Sequence, residues 1–206
     1  MTAGRPMLSF PPELLLSARG TGDGIAAAIF DVDGVLTDGR VYIGEDGEVF
    51  KAFSTLDGQG MKLLGQGGIV PIVVTGRDSA AVRRRVAELG LAHAAYGAAD
   101  KLAAAETLLA GLGLGWDRVA VMGDDWPDLP LMARAAFACA PPNGHVEVRA
   151  AAHHVTTTYA TGVKIPDAVM ATLNLQPHEV CPQWNYTIHP RPTVAPSHQD
   201  GEVVLL

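Results

Sequence analysis

Cysteine is nearly missing from this 206-residue chain: Cys139 lies in an apolar segment and Cys181 in a proline-rich tail. Two such thiols give neither a disulfide framework nor a metal-ligand spacing, and they suit a reducing compartment. Basic residues are also few, 15 against 22 acidic ones, for a formal net charge of −7. That balance argues against a nucleic-acid or anionic-membrane partner. No long apolar span and no internal repeat is present, and Met1 to Gly24 lacks the charged start and apolar core of a signal peptide. The expectation is a cytoplasmic protein with a loose N-terminal extension, in which Pro11 to Leu16 forms one docked helical turn.

What the chain does have is an apolar run, Ile25-Ala26-Ala27-Ala28-Ile29-Phe30, leading directly into Asp31-Val32-Asp33-Gly34-Val35-Leu36-Thr37-Asp38-Gly39. A continuous apolar run flanked by glycine suits a parallel strand covered on both faces, and ligands gather at the carboxyl ends of such strands. Two carboxylates therefore leave a strand end two positions apart. On its own, Asp33-Gly34 reads as a turn signal. Chemically, the pair suits phosphoryl transfer, with Asp31 attacking phosphorus and Asp33 protonating the leaving oxygen and later deprotonating water.

Further elements follow in order. The strand Val70 to Val74 ends in Thr75-Gly76-Arg77, a hydroxyl with adjacent backbone N–H groups where a phosphate oxygen could be held. Asp100-Lys101 opens a helical pattern, which puts the Lys101 ammonium on the first turn. The strand Val119 to Met122 then runs into Gly123-Asp124-Asp125-Trp126-Pro127-Asp128. Hard carboxylate oxygens of this kind suit Mg²⁺.

Together Asp31-x-Asp33, Thr75, Lys101 and Gly123-Asp124-Asp125-x-x-Asp128 resemble the four motifs of the haloacid dehalogenase superfamily of phosphohydrolases. The resemblance implies Asp31 as nucleophile, Asp33 as general acid/base, and Thr75 and Lys101 as phosphate clamps. It implies a Mg²⁺ site made by Asp31, the Asp33 carbonyl and Asp124, with Asp125 and Asp128 as supporting acids. Lys101 answers an electrostatic need, since carboxylates and a phosphoryl dianion require positive charge as the transition state forms.

Only 41 residues separate Asp33 from Thr75, and 25 separate Thr75 from Lys101, too few for a cap domain with its own core. The first interval reads as a hairpin over 41–53 about a Gly44 to Gly47 turn, followed by a helix from about Asp57 to Gly65. That layout, with Leu36-Thr37-Asp38-Gly39, Lys51-Ala52-Phe53, Asp57-Gly58-x-Gly60-Met61-Lys62 and Thr75-Gly76-Arg77, resembles the 3-deoxy-D-manno-octulosonate 8-phosphate phosphatases from about Ile25 to Thr157. The resemblance implies a capless, Mg²⁺-dependent homotetramer of lipopolysaccharide biosynthesis acting on a phosphorylated acidic sugar. Ser54, Thr55, Asp57, Gly58, Lys62, Gly76, Arg77 and Arg85 would line the sugar-phosphate pocket. Two departures stand out: Leu56 occupies a position that is basic in the family pattern, and Tyr159 to Val169 replaces a glycine-rich segment ending in Ala-Val-Arg-Glu. A related nonulosonate phosphate or a broader sugar-phosphate range therefore stays open as the substrate.

Strands alternating with helical patterns, in a chain that is 48% hydrophobic, indicate an α/β, doubly wound parallel sheet with a small hairpin insertion and no cap. The expected organisation is an extension over 1–24, a phosphatase domain over 25–174 and a Pro-rich tail over 175–206. That tail reads either as a flexible end or as an arm reaching a neighbouring subunit. A phospho-receiver domain also combines acids, Mg²⁺, Thr and Lys on such a sheet. Its phosphorylated Asp lies on a middle strand, whereas Asp31 ends the first strand here and Gly123-Asp124-Asp125 follows the lysine. A non-catalytic sugar-phosphate binder is disfavoured by the intact Asp31 and Asp33.

Overall fold

The computed structural model describes residues 24–156. The expected extension, the end of the expected phosphatase domain over 157–174 with the Tyr159 to Val169 segment, Cys181 and the tail lie outside the described residues.

Alternation along the strands explains the fold. In β1 (Ala27–Phe30), Ala27 and Ile29 join one buried cluster, and Ala28 and Phe30 join another. The same division repeats in β4 (Val70–Val74), where Ile72 and Val74 oppose Val73, and in β6 (Val119–Met122), where Val119 and Val121 oppose Met122. Side chains of successive strand residues point to opposite faces, so a strand apolar at every position must be covered twice. Helices α1 (Thr55–Gln66) and α2 (Ala80–Leu89) cover one face through Met61, Leu64, Val82 and Val86. The other face is covered by α3 (Lys101–Leu112), α4 (Leu129–Met132) and α5 (Val146–Ala151) through Ala105, Leu109, Leu131, Met132 and Val148.

With β5 (His93–Ala95), β7 (Phe137–Ala140) and β8 (His154–Val155), the strands form a six-stranded sheet in the order β5-β4-β1-β6-β7-β8. Every pairing is parallel. The chain winds outward from β1 through β4 to β5, then returns to lay β6 on the other side of β1. This reversal makes the carboxyl end of β1 the topological switch point, where a crevice opens between loops that diverge.

The insertion is a separate antiparallel pair, β2 (Tyr42–Gly44) and β3 (Gly47–Phe50). The hairpin is shorter than the expected 41–53. Gly44 pairs with Gly47, whose φ is +111°, so the chain reverses over Glu45 and Asp46 and the ladder ends at Phe50. Lys51 to Phe53 leave the ladder, and Lys51 turns inward to become buried. Helix α1 starts at Thr55, earlier than expected, because the Ser54 hydroxyl accepts the N–H groups of Leu56 (3.2 Å) and Asp57 (3.5 Å). Helix α4 ends at Met132, and the Ala136 N–H turns to the Trp116 carbonyl (3.1 Å) as the chain enters β7. Among the described residues no helix is long and apolar enough to cross a membrane.

Candidate active site

Three adjacent strands deliver the site. Asp31 follows β1, Thr75 follows β4 and Asp124 stands two residues beyond β6, while Lys101 is the first residue of α3. Register alone brings the strand ends together, since Phe30 lies opposite both Val73 and Met122. The Asp31 N–H is bonded to the Met122 carbonyl (3.1 Å).

Lys101 sits at the centre of the charge balance. Its Nζ lies 2.8 Å from Asp31 Oδ1 and 2.7 Å from Asp128 Oδ1, with the three side chains almost wholly enclosed. A lysine is rarely buried unless paired, and here burial, which opposes its charge, is outweighed by Asp31 and Asp128, so its pKa is raised. The other oxygen of Asp128 accepts the N–H groups of Asp124 (3.1 Å) and Asp125 (3.2 Å). One buried carboxylate thus fixes both the ammonium and the loop that carries Asp124. Asp125 is exposed and caps the short 3₁₀ turn Trp126–Asp128 through the Trp126 N–H (2.8 Å).

The carboxyl oxygens of Asp31, Asp124 and Asp128 lie within 4.8 Å of one another. Burial, then repulsion from Asp128, raises the pKa of Asp31 to about 6 despite Lys101. Burial, then Asp31, Asp128 and Asp125, raises that of Asp124 to about 8. Asp124 Oδ1 is enclosed with no hydrogen-bond partner. A buried acceptor left unpaired beside like charges is costly, and a hard divalent cation answers both defects. The donor set therefore fits Mg²⁺, with Asp31 and Asp124 as carboxylate ligands. Asp128 is committed to Lys101 and the backbone.

Gly34, at φ +89°, allows this closeness: a Cβ there would overlap the Asp124 carboxylate. The Gly34 carbonyl accepts from Asn143 Nδ2 (3.3 Å), and the His145 N–H donates to the Asp124 carbonyl (2.7 Å), so the loop after β7 braces the acids.

Thr75 is buried, and its Oγ1 accepts the Arg77 N–H (3.3 Å); a hydroxyl so engaged keeps its proton to donate. Gly76 leaves room beside the Lys101 stem, where a Cβ would stand 4.0 Å from Cε. Arg77 is exposed, with Nε 3.7 Å from Asp33 Oδ2. Asp33 Oδ1 is held by Lys51 Nζ at 2.5 Å.

Not every expected pocket residue arrives here. Lys62 is exposed on α1 and lines a cavity of about 570 Å³ with Val70, Pro71 and His93 at the opposite, amino-terminal edge of the sheet. Seven residues beyond Thr55, it lies about 10 Å along the helix, away from the site end. Arg85 is half-buried and spends its guanidinium locally, donating to the Ser54 carbonyl (3.1 Å) and lying against Gly58, where a Cβ would clash with it. Ser54 serves as the cap of α1, on whose first two turns Thr55, Asp57 and Gly58 stand, with Asp57 and Gly58 buried. Sequence reasoning missed Lys51, Glu48 and Asn143. A lysine between the apolar Val49-Phe50 and Ala52-Phe53 was the available signal for the first.

Residues 95–163 match the family model of haloacid dehalogenase-like hydrolases. The chain is 39% identical over 132 residues to the 3-deoxy-D-manno-octulosonate 8-phosphate phosphatase of Yersinia pestis, covering 64% of this chain and 71% of that one. To the Haemophilus influenzae enzyme it is 37% identical over 137 residues, covering 66% and 76%. The crystal structure of the Moraxella catarrhalis phosphatase, in complex with magnesium, phosphate and the sugar, superposes with a TM-score of 0.71 at 36% identity, covering 81% of this chain and 93% of that one. The ordered acids at the switch point and these similarities agree, and the chain belongs to the 3-deoxy-D-manno-octulosonate 8-phosphate phosphatase family of the haloacid dehalogenase superfamily, whose members are phosphoric monoester hydrolases.

Proposed function

We propose that the protein is a Mg²⁺-dependent phosphatase that hydrolyses 3-deoxy-D-manno-octulosonate 8-phosphate through an aspartyl phosphate on Asp31. The observation that carries the reading is the buried Asp31–Lys101–Asp128 ion cluster beside the unpartnered oxygen of Asp124. Asp31 and Asp124, with the Asp33 carbonyl, would hold the cation, which when bound neutralises the acids and polarises the phosphoryl oxygens. An Asp31 carboxylate oxygen attacks phosphorus, the P–O ester bond breaks, and Asp33 gives its proton to the departing sugar oxygen. Asp33 then takes a proton from water, whose oxygen attacks the same phosphorus, freeing Asp31 and inorganic phosphate. Thr75 and Lys101 hold the phosphoryl oxygens throughout.

Substrate choice rests on Arg77. With the phosphate taken by Thr75, Lys101 and the cation, the exposed guanidinium beside Asp33 is available to a second anion such as the sugar carboxylate. Leu56, 45% exposed on the first turn of α1, puts an apolar surface where the family pattern is basic, and this favours a related nonulosonate phosphate as the second reading. The hairpin supports a homotetramer: Ile43, Val49 and Phe50 are 68%, 65% and 51% exposed, and adjacent Val49 and Phe50 leave apolar side chains on both faces of the ribbon for other copies of the chain to cover. A cytoplasmic location accords with the scarcity of cysteine.

The test is kcat/KM for the octulosonate phosphate against neutral hexose and pentose phosphates, in wild type and Arg77→Ala. The acidic sugar should be preferred, and the substitution should cut that preference by about tenfold or more. Preference for neutral sugars, or equal losses on both classes, removes the carboxylate argument. Full metal-dependent turnover in Asp31→Asn removes the mechanism.

A further inference from the structure

The side chain of Lys51 is completely enclosed, although it follows a strand whose Val49 and Phe50 are 65% and 51% exposed. Its ammonium has three protons, and two acids take two of them: Asp33 Oδ1 at 2.5 Å and Glu48 Oε2 at 3.1 Å. The other oxygen of Glu48 accepts the Ser79 hydroxyl, and Ser79 is the N-cap of α2. A continuous polar chain, Ser79–Glu48–Lys51–Asp33, therefore joins the start of α2, the hairpin and the catalytic acid. Enclosing the Lys51 ammonium is costly unless it is paired and its geometry fixed. A lysine needed only to anchor a hairpin has no reason to end on Asp33, because an apolar side chain in the same space would anchor it at less cost.

We infer that Lys51 is a positioning residue for proton transfer, holding the Asp33 carboxyl by Oδ1 so that Oδ2 is the oxygen presented to the leaving group, with Glu48 and Ser79 fixing Lys51 in turn. The inference deepens the proposed reaction and rests on the acid role of Asp33. Oδ2 is the less encumbered oxygen: its ion pair with Arg77 Nε is 3.7 Å long and comes from a side chain that is more than half exposed. Without Lys51 the carboxyl can rotate about its terminal torsion, which is broad for aspartate. The proton-bearing oxygen then loses its aim. A proton donor must stand within hydrogen-bond reach of the oxygen it protonates, so lost aim is lost acid catalysis.

Leaving-group dependence separates positioning from mere packing. Nitrophenolate departs without a proton, whereas a sugar alkoxide does not. The readout is the ratio of kcat/KM for 4-nitrophenyl phosphate to that for alkyl esters, with 3-deoxy-D-manno-octulosonate 8-phosphate and ribose 5-phosphate as the alkyl probes. Asp33→Asn should raise the ratio by about 10²-fold or more, the scale of general acid catalysis. Lys51→Met should raise it by about tenfold or more, and the double variant should go no further than Asp33→Asn alone, since residues acting as a unit are not additive. Glu48→Gln keeps the bond to Ser79 while weakening the hold on Lys51, so it should move the ratio the same way by a smaller factor even if Lys51→Met folds poorly. Equal losses on both ester types in Lys51→Met and Glu48→Gln, with Asp33→Asn still selective, would overturn the inference and leave the proposed reaction standing. An unchanged ratio in Asp33→Asn would overturn the acid role and the Lys51 role together.

Discussion

Asp31→Asn should stabilise the metal-free protein while abolishing its turnover. Burial, with Asp128 adding repulsion, lifts the Asp31 pKa from 3.8 to about 6. The folded chain then holds a proton that the unfolded chain has released, so stability falls as pH rises. The loss begins near the ordinary aspartate value and is complete once pH has passed the folded value. A shift of about two units corresponds to about 3 kcal/mol. Asparagine resembles the protonated acid in charge and shape and does not titrate. In EDTA at pH 8 the variant should therefore be about 3 kcal/mol more stable than wild type, and at pH 4 the two should differ by less than about 1 kcal/mol. For a chain of this length that gain raises the Tm by about 6–12 °C. Mg²⁺ should close the gap at pH 8, because a cation bound only by the folded wild type contributes about 2.7 kcal/mol at one hundred times its Kd. The assay is urea or thermal unfolding at pH 4 and pH 8, with EDTA or with Mg²⁺. A variant no more stable than wild type in EDTA at pH 8, or a gain independent of pH, would refute the claim that the folded site strains Asp31 until a cation arrives.

Other outcomes follow from the same geometry. Because Asp124 is also raised, to about 8, Mg²⁺ affinity should increase from pH 6 to pH 8 with proton release on binding; calorimetry in two buffers of different ionisation enthalpy measures it, and a pH-independent affinity would contradict the shifts. Gly34→Ala forces a left-handed residue and drives a methyl into Asp124, so it should cost about 2–4 kcal/mol and weaken Mg²⁺ binding, both readable by unfolding with and without the cation. Lys101→Met leaves Asp31 and Asp128 buried without their counter-ion and should cost about 3–5 kcal/mol at pH 8 but much less at pH 4, a difference that pH-dependent denaturation would expose. Val49→Lys, at a position 65% exposed, should dissociate the proposed tetramer in light scattering without lowering the monomer's unfolding free energy.

How much of this was legible beforehand follows from where the constraint sits. Apolar runs such as Ala27–Phe30 can only be twice-covered strands, and acids at their carboxyl ends can only face the crevice at the switch point. The order Asp31, Asp33, Thr75, Lys101, Asp124 therefore carried the sheet and the reaction class, and these residues gather at the strand ends around β1. Capping was local as well: Asp100 accepts the Ala103 N–H at the start of α3, as the sequence suggests.

Long side chains were not legible, because their reach is set by neighbours distant in sequence. Lys62 and Arg85 share a motif or a helix with expected pocket residues, yet one points to the far edge of the sheet and the other folds back onto Ser54 and Gly58. Lys51 shows the converse. In the sequence it is a polar break in an apolar hairpin, and only tertiary packing, which encloses it between Asp33 and Glu48, puts it beside the proposed acid. The sequence by itself determined which backbone positions meet, since strand register follows from a period of two and from hydrophobic burial. Tertiary structure alone decided which charges meet, because the energy of an ion pair depends on distance and on enclosure from water, and neither is a local property of the chain.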